Sequence, residues 1–327
     1  MSKTVRVGFI GAGGIAQAHM KSLQLAEDVQ LVGIYDIAPG KAAEAAAIYG
    51  GIPFSDPYEL IDTKQIDAVF VCTPPFARSD YETTAAQKGV HLFAEKPPGL
   101  NLPEVEAKLE IIQRSGIITS SGHSSRYAPV IDKAKELLGD RQVDLIHLYR
   151  YHGLPKQPWL SIMATSGGQM VDQTIHDVDV VRYLVGDYKD VYARMAQRSL
   201  KQVNPDADIY DVGAVTFTLA TGAIGSVTTT NLLAGYSRRE IMLIGNGFTI
   251  IADRKTSAVT FYDGQQVQTF DCKGANYQAI QDRAFIEAVR AGKQELVRCS
   301  YEEAYKTLKV VLAMNESALS GQPVHID

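Results

Sequence analysis

The chain has 327 residues, 46% hydrophobic and 21% charged, a length and composition that suit two globular cores rather than one. Its formal net charge of −5 argues against nucleic acid as the main partner, which needs clustered Lys and Arg, and no apolar run reaches the roughly 18 residues of a membrane-spanning helix. The opening MSKTVRVGFIG enters a strand at once without a signal-peptide pattern, and Cys72, Cys272 and Cys299 lie far apart without metal-ligand spacing, so a reducing cytoplasm and no bound metal are expected.

The first third alternates short apolar runs with helical stretches. Val5–Ile10 is an apolar run ending in glycines, and residues 15–25 have helical character. Residues 31–35 form a second strand, and the Ala-rich residues 41–49 a helix of high propensity. A strand at 68–72, a helix at 80–88, a strand at 90–94, a helix at 103–114 and a strand at 117–121 follow. Apolar strands alternating with helices predict a parallel sheet covered on both faces.

After Gly122 the pattern changes. Residues 127–138 read as helix, 143–151 as strand and 169–185 as helix. From Val191 to Phe270 strands alternate with turns. Val215, Phe217 and Leu219 alternate with their neighbours, as do Val227 and Thr229, and Ile241 and Leu243. The turn signals Thr221-Gly222, Gly245-Asn246-Gly247 and Asp263-Gly264 predict meandering antiparallel strands. Helices at 279–291 and 301–319 close the chain. The division is therefore a nucleotide-binding domain at 1–122 and a second domain at 123–327.

Gly11-Ala12-Gly13-Gly14-Ile15-Ala16 follows the first strand and opens the first helix, in the pattern G-x-G-x-x-G/A. Gly11 permits the tight turn, Gly13 lets the backbone approach a pyrophosphate, and Ala16 keeps helix close to strand. The N–H groups and positive dipole at the helix start then hold phosphates. Glycines punctuate many turns, so the signal comes from context: a strand before, a helix after, and Asp36 at the end of the second strand, about 25 residues on. Asp36 accepts hydrogen bonds from ribose hydroxyls and repels a 2′-phosphate, which favours NAD over NADP. Lys41 stands close by, but no Arg directly follows the acid.

Ala94-Glu95-Lys96-Pro97-Pro98 closes the strand at 90–94, at the carboxyl edge where open parallel sheets bind ligands. Cys72-Thr73-Pro74-Pro75 ends the strand at 68–72 in a rigid turn suited to lie under a nicotinamide ribose. The Glu-Lys pair also fits a plain surface loop. Further on, Gly167-Gly168 precedes a helix carrying Asp172 and His176 at i, i+4 on one face, within reach of one substrate hydroxyl. Histidine takes a proton near neutral pH, as oxidation of an alcohol requires when hydride leaves. A casual Asp/His pair on a helix surface fits the same spacing, and Asp179 near that face suits a structural role at least as well.

The segments GFIGAGGIAQAHM, VCTPP, GVHLFAEKPPGLN, SGHSSRYAP and SGGQMVDQTIHDVDVVRYLVG run through essentially the whole chain in this order. Together they resemble the Gfo/Idh/MocA oxidoreductases, the family of glucose-fructose oxidoreductase and inositol dehydrogenase. The resemblance implies an α/β protein with an N-terminal Rossmann domain and a C-terminal α+β domain. The latter carries a large, mostly antiparallel open-faced sheet, through which members assemble as homodimers or homotetramers. It implies a cis Lys96–Pro97 bond, His176 as general acid/base, Lys96 orienting the substrate and lowering the hydroxyl's pKa or relaying its proton, and Asp172 binding a hydroxyl.

Cofactor contacts are expected from Gly11, Ala12, Gly13, Gly14, Ile15, Asp36, Thr73, Pro74, Glu95, Lys96 and Arg126, and substrate contacts from Lys96, Trp159, Asp172, Gln173, His176 and Tyr236. Gln173 departs from the family pattern in being bulky where many relatives have something small. Arg78 departs too, following the Thr-Pro turn where many place a histidine. Arg126 equally suits an interdomain salt bridge. Trp159 fits a lid over the nicotinamide, a stack on a sugar face or core packing, and Tyr236 sits at a strand connection suited to line the pocket. His147, His152 and His325 read as structural or solvent-facing.

The expected activity is reversible oxidation of a secondary hydroxyl of a sugar, cyclitol or related polyol by hydride transfer to nicotinamide. The alternatives are an NAD-dependent redox glycosidase of the same fold and a non-catalytic sugar or NAD sensor. Lys96, Asp172 and His176 together speak against the sensor.

Overall fold

Six short apolar runs build the first sheet. Strands β1 (Val5–Ile10), β2 (Val29–Tyr35), β3 (Ile52–Phe54), β4 (Ala68–Val71), β5 (His91–Ala94) and β6 (Thr119–Ser121) lie parallel in the order β3-β2-β1-β4-β5-β6. This is the doubly wound order, whose direction of winding reverses between β1 and β4. The computed structural model describes residues 4–154, 157–274 and 276–326, in two units: 4–124 with 276–305, and 125–274 with 306–326.

In the first unit β4 is buried along its whole length, as a central strand covered on both faces must be. Phe70 on β4 stacks on Phe9 at 4.8 Å and on Phe93 at 4.6 Å. Helices α1 (Gly14–Leu23), α2 (Pro39–Tyr49), α3 (Pro57–Asp62), α4 (Tyr81–Gln87) and α5 (Leu102–Ser115) connect the strands. Asn101 caps α5 by accepting from the Glu104 N–H at 3.4 Å, and Gly116 ends it at φ +69°.

The second unit contains α6 (Pro129–Leu138), β7 (Leu145–Tyr151), α7 (Met163–Ser166), a π-helical turn (Met170–Thr174) running into α8 (Ile175–Leu184), β8 (Tyr188–Ala196), α9 (Leu200–Val203) and the strands β9 (Val212–Leu219), β10 (Ile224–Thr230), β11 (Arg238–Gly245), β12 (Phe248–Asp253), β13 (Ala258–Asp263) and β14 (Gln266–Asp271). With β15 (Val324–His325) they form a nine-stranded sheet, β14-β13-β12-β11-β7-β10-β9-β8-β15, antiparallel except for the parallel pair β7–β10. The alternation expected from the sequence is present: Val215, Phe217, Leu219, Val227, Thr229, Ile241 and Leu243 are all buried.

Two further helices complete the chain, α10 (Tyr277–Ala291) and α11 (Tyr301–Ser320). The α10 residues Phe285, Ile286 and Ala288 are buried in the same apolar cluster as Phe9, Phe70 and Phe93 of the first sheet. A division of the chain at residue 122 therefore needs one correction: 276–305 returns to the first unit, because its apolar face packs there. Short β3 and α3, of 3 and 6 residues, add to the elements expected from the sequence. No helix of the described residues is long and apolar enough to cross a membrane.

Candidate functional site

The carboxyl ends of β1, β2, β4 and β5 bring Gly11 to Ile15, Asp36, Thr73 with Pro74, and Glu95 with Lys96 to one edge of the first sheet. Gly11 has φ +99°, and a Cβ there would stand 3.1 Å from the Cys72 carbonyl, so only glycine fits where the β1 and β4 ends meet. A Cβ on Gly13 or Gly14 would meet nothing within 4 Å. Those two glycines answer no packing need of the protein, and the open space beside them is what a pyrophosphate requires. Helix α1 begins there with Gly13 as N-cap and no side-chain cap, which leaves its first N–H groups to a ligand.

Asp36 closes β2. Its Oδ2 accepts from the Ala12 N–H at 2.8 Å and its Oδ1 from the Ala38 N–H at 2.9 Å. The carboxylate is pinned beside the glycine turn and keeps lone pairs for ribose hydroxyls. The turn after β4 is braced by Arg78, which donates from Nε and Nη2 to the Thr73 carbonyl, each at 3.4 Å, and from Nη1 to buried Glu82 at 3.1 Å. Arg78 thus shapes the Thr73-Pro74 turn from behind. These groups fit a bound dinucleotide.

Lys96 is half-buried and its bond to Pro97 is cis. Glu95, expected to touch the cofactor, has both oxygens engaged by the protein: Oε1 with His19 Nε2 at 3.1 Å and Oε2 with the Lys96 N–H at 3.1 Å. The other ring nitrogen of His19 meets Asp282 Oδ1 at 2.7 Å. Burial works to lower the pKa of His19, but hydrogen bonds and charges of Asp282 and Glu95 outweigh it and raise it to about 9. Burial likewise opposes ionisation of Glu95, yet the His19 hydrogen bond and the charges of His19, Lys96 and Arg78 hold its carboxyl below the usual range. His19 is not among the residues the sequence motifs mark. The signal was there: it falls on the buried face of α1 with Ala16, Met20 and Leu23, where a polar side chain needs partners.

In the second unit, Asp172 and Gln173 lie in the π-helical turn and His176 in the first turn of α8. A regular helix through 169–185, expected from the sequence, is interrupted here. Thr229 Oγ1 donates to Gln169 Oε1 at 2.9 Å and lies 3.3 Å from Thr174 Oγ1. Residues five apart point about 140° from each other on an α-helix, and the wider π turn brings them closer to one face, where both meet one hydroxyl.

Gln173 bridges inward. Its Nε2 donates to Asp172 Oδ2, and its Oε1 accepts from Arg150 Nη2 at 2.9 Å. Arg150 also donates from Nε to His152 Nε2 at 2.8 Å and pairs with Asp177 at 3.4 Å. Burial, with the charges of Arg150 and Arg239, lowers the pKa of His152 to about 4 against the opposing charge of Asp172. His152, read from sequence as structural or solvent-facing, is therefore a neutral neighbour of the Asp172 cluster, and Arg150 is a member the sequence reading did not single out.

The remaining candidates lie elsewhere in this unit. Arg126 is buried and engages Asp179 with two bonds of 2.8 Å, 5.2 Å from the centre of the Tyr183 ring. The expectation of a cofactor contact meets a guanidinium fixed inside the second unit, and Asp179 takes the structural role. Trp159 is half-buried in a 3₁₀ turn, Pro158–Ser161, its carbonyl accepting from Thr165 Oγ1 at 2.6 Å. Pro155 and Lys156 of that loop lie outside the described residues. Tyr236, 59% exposed, lines a cavity of about 600 Å³ with Gly153, Leu233, Arg238, Glu240 and Lys255. Asp172, Gln173, His176 and Trp159 are not among its lining residues.

The sheet order, the open glycine turn and the acid ending β2 define a dinucleotide-binding protein of the Rossmann class. The description "Oxidoreductase family, NAD-binding Rossmann fold" matches residues 5–123, and the GFO/IDH/MocA C-terminal domain matches residues 138–251. The chain belongs to the Gfo/Idh/MocA family and is a nicotinamide-dependent oxidoreductase, as the sequence motifs implied.

It is 30% identical over 323 residues to a myo-inositol 2-dehydrogenase of Thermotoga maritima, covering 97% of this chain and 91% of that protein. It is 28% identical to a scyllo-inositol 2-dehydrogenase (NAD(+)) of Bacillus subtilis, over 100% of this chain and 98% of that one. A levoglucosan dehydrogenase in complex with NADH shares the fold with a TM-score of 0.90 at 21% identity, over 99% of this chain and 100% of that one.

Proposed function

We propose that the protein oxidises a secondary hydroxyl of a sugar, cyclitol or related polyol, with NAD rather than NADP as its cofactor. The observation that carries the cofactor reading is the Asp36 carboxylate, pinned beside an open glycine turn where a 2′-phosphate would meet its charge. Relatives named as inositol dehydrogenases, one of them with NAD(+) in its name, support the substrate class and the cofactor.

Bound nicotinamide supplies the hydride acceptor, so the protein has to bind, orient and move a proton. In this reading His176 takes the hydroxyl proton, Lys96 donates to the same oxygen and favours its ionisation, and Asp172 accepts from a hydroxyl of the substrate. Gln173 and Arg150 hold Asp172 in place. The unit with the parallel sheet binds the cofactor and the other binds substrate. The protein further assembles as a homodimer or homotetramer through the nine-stranded sheet, where Tyr151, Arg194, Val212, Thr228 and Thr230 line a shallow groove. Its place is the reducing cytoplasm.

The test is a screen of sugars, inositols and sugar acids with NAD and NADP in parallel, read at the reduced-cofactor absorbance. Accumulation of NADH with a polyol supports the proposal. Turnover of a glycoside without net NADH, or a preference for NADP, contradicts it.

A further inference from the structure

We infer that His19 is a positioning residue for the reaction: with Asp282 behind it, His19 holds the Glu95 carboxylate and so fixes the turn that presents Lys96. The inference rests on the reading of Lys96 as a group that acts on the substrate hydroxyl.

His19 has no exposed surface. Its ring packs against Phe93 at 4.9 Å and Phe70 at 5.6 Å, and each nitrogen meets one carboxylate, Asp282 on α10 and Glu95 after β5. Glu95 cannot swing away. A Cβ on Gly122 would stand 2.3 Å from Glu95 Oε1, so the end of β6 closes on the carboxylate, while Oε2 takes the Lys96 N–H. The carboxylate is boxed between an imidazole, a glycine and the backbone of the residue it positions.

Packing alone does not require this arrangement. Three buried ionisable groups are costly beside an apolar residue of similar volume, and their use is in fixing one geometry. The same helix, α1, starts at the open glycine turn and carries His19 in its second turn. One rigid element therefore sets both the phosphate end of the site and the Lys96 end.

The arrangement works with a charged ring donating from both nitrogens. Glu95 and Asp282 are the charged groups facing it. Lys96 and Arg78 act on Glu95, and burial keeps the Cys72 thiol just past the end of β4 neutral.

The test uses the full chain, the polyol turned over fastest in the screen above, and the variants His19→Gln, Asp282→Asn and Lys96→Ala. ¹⁵N NMR of the imidazoles is expected to find His19 charged in the native protein at pH 8. In Asp282→Asn, which keeps the shape but removes one charge, that proton should leave at lower pH, and the alkaline limb of kcat should move down with it. His19→Gln should lower kcat about 10- to 100-fold, through misplacement of the turn, with NADH affinity within about twofold. If His19→Gln does not fold, Asp282→Asn carries the test alone. Folded variants whose kcat–pH profiles superimpose on the native one overturn the inference. Undiminished turnover by Lys96→Ala instead overturns the reading of the site on which it rests.

Discussion

Replacing Asp36 by alanine separates two roles of one carboxylate. In the proposed complex it accepts from the adenosine ribose, and charge-assisted hydrogen bonds of this kind contribute about 1.5–3 kcal/mol, or about 12- to 150-fold in the Kd for NAD. In the protein alone it accepts from the N–H groups of Ala12 and Ala38 at 2.8 and 2.9 Å. Ala12 has no exposed surface, so its stranded N–H should cost a further 1–3 kcal/mol or so of stability. Affinity for NADP should move the other way. A carboxylate about 4 Å from a 2′-phosphate repels it by about 1–4 kcal/mol, depending on how well water screens the pair. The ratio of NAD to NADP affinity should therefore fall by about tenfold or more. Fluorescence titration of NADH and NADPH into native and variant protein, with thermal unfolding alongside, reads all three effects. An unchanged ratio of the two affinities in a folded variant would refute the assignment of Asp36 to the ribose.

Gly13→Ala should leave the melting temperature unchanged, because its new methyl meets nothing within 4 Å in the protein. It should weaken dinucleotide binding by about 1–3 kcal/mol, the usual cost of crowding a close contact, as titration with NADH will show. Arg126→Ala strands the buried Asp179 carboxylate and should destabilise the second unit by about 3–5 kcal/mol, read by urea unfolding. The pKa of His19 is raised from 6.5 to about 9 on folding, so its stabilising effect is complete below pH 6.5 and is lost as pH rises through 9. The native protein should lose roughly 3 kcal/mol more than His19→Gln across that window, measured by thermal unfolding at a series of pH values.

Features with a local cause were legible in the sequence. The apolar runs that become β1, β4 and β5, the glycine turn with its acid, and the alternation through β9, β10 and β11 each depend on neighbours a few residues away. Features joined over long distances were not. His19, Glu95 and Asp282 have no spacing that links them; they meet because α10 returns to pack its Phe285 face on the first unit. The π turn at Met170–Thr174 carries contacts to Thr229, far along the chain on β10, so a helical pattern in the sequence conceals it. Arg150 reads as one more residue of a strand until Gln173 and His152 are seen around it. Short β3 and α3 carry too few apolar residues to register as periodic. Arg126 is a further case: a cation near a predicted cleft suits a cofactor role or a salt bridge equally in the sequence, and only the fold shows Asp179 beside it.

The most direct measurement is the rate of NADH formation by native protein and His176→Ala with the same polyol, paired with the NADH dissociation constant of each. Loss of the proton acceptor should slow turnover about 10²- to 10⁴-fold and leave the dissociation constant within about twofold. Turnover by His176→Ala at the native rate would contradict the account.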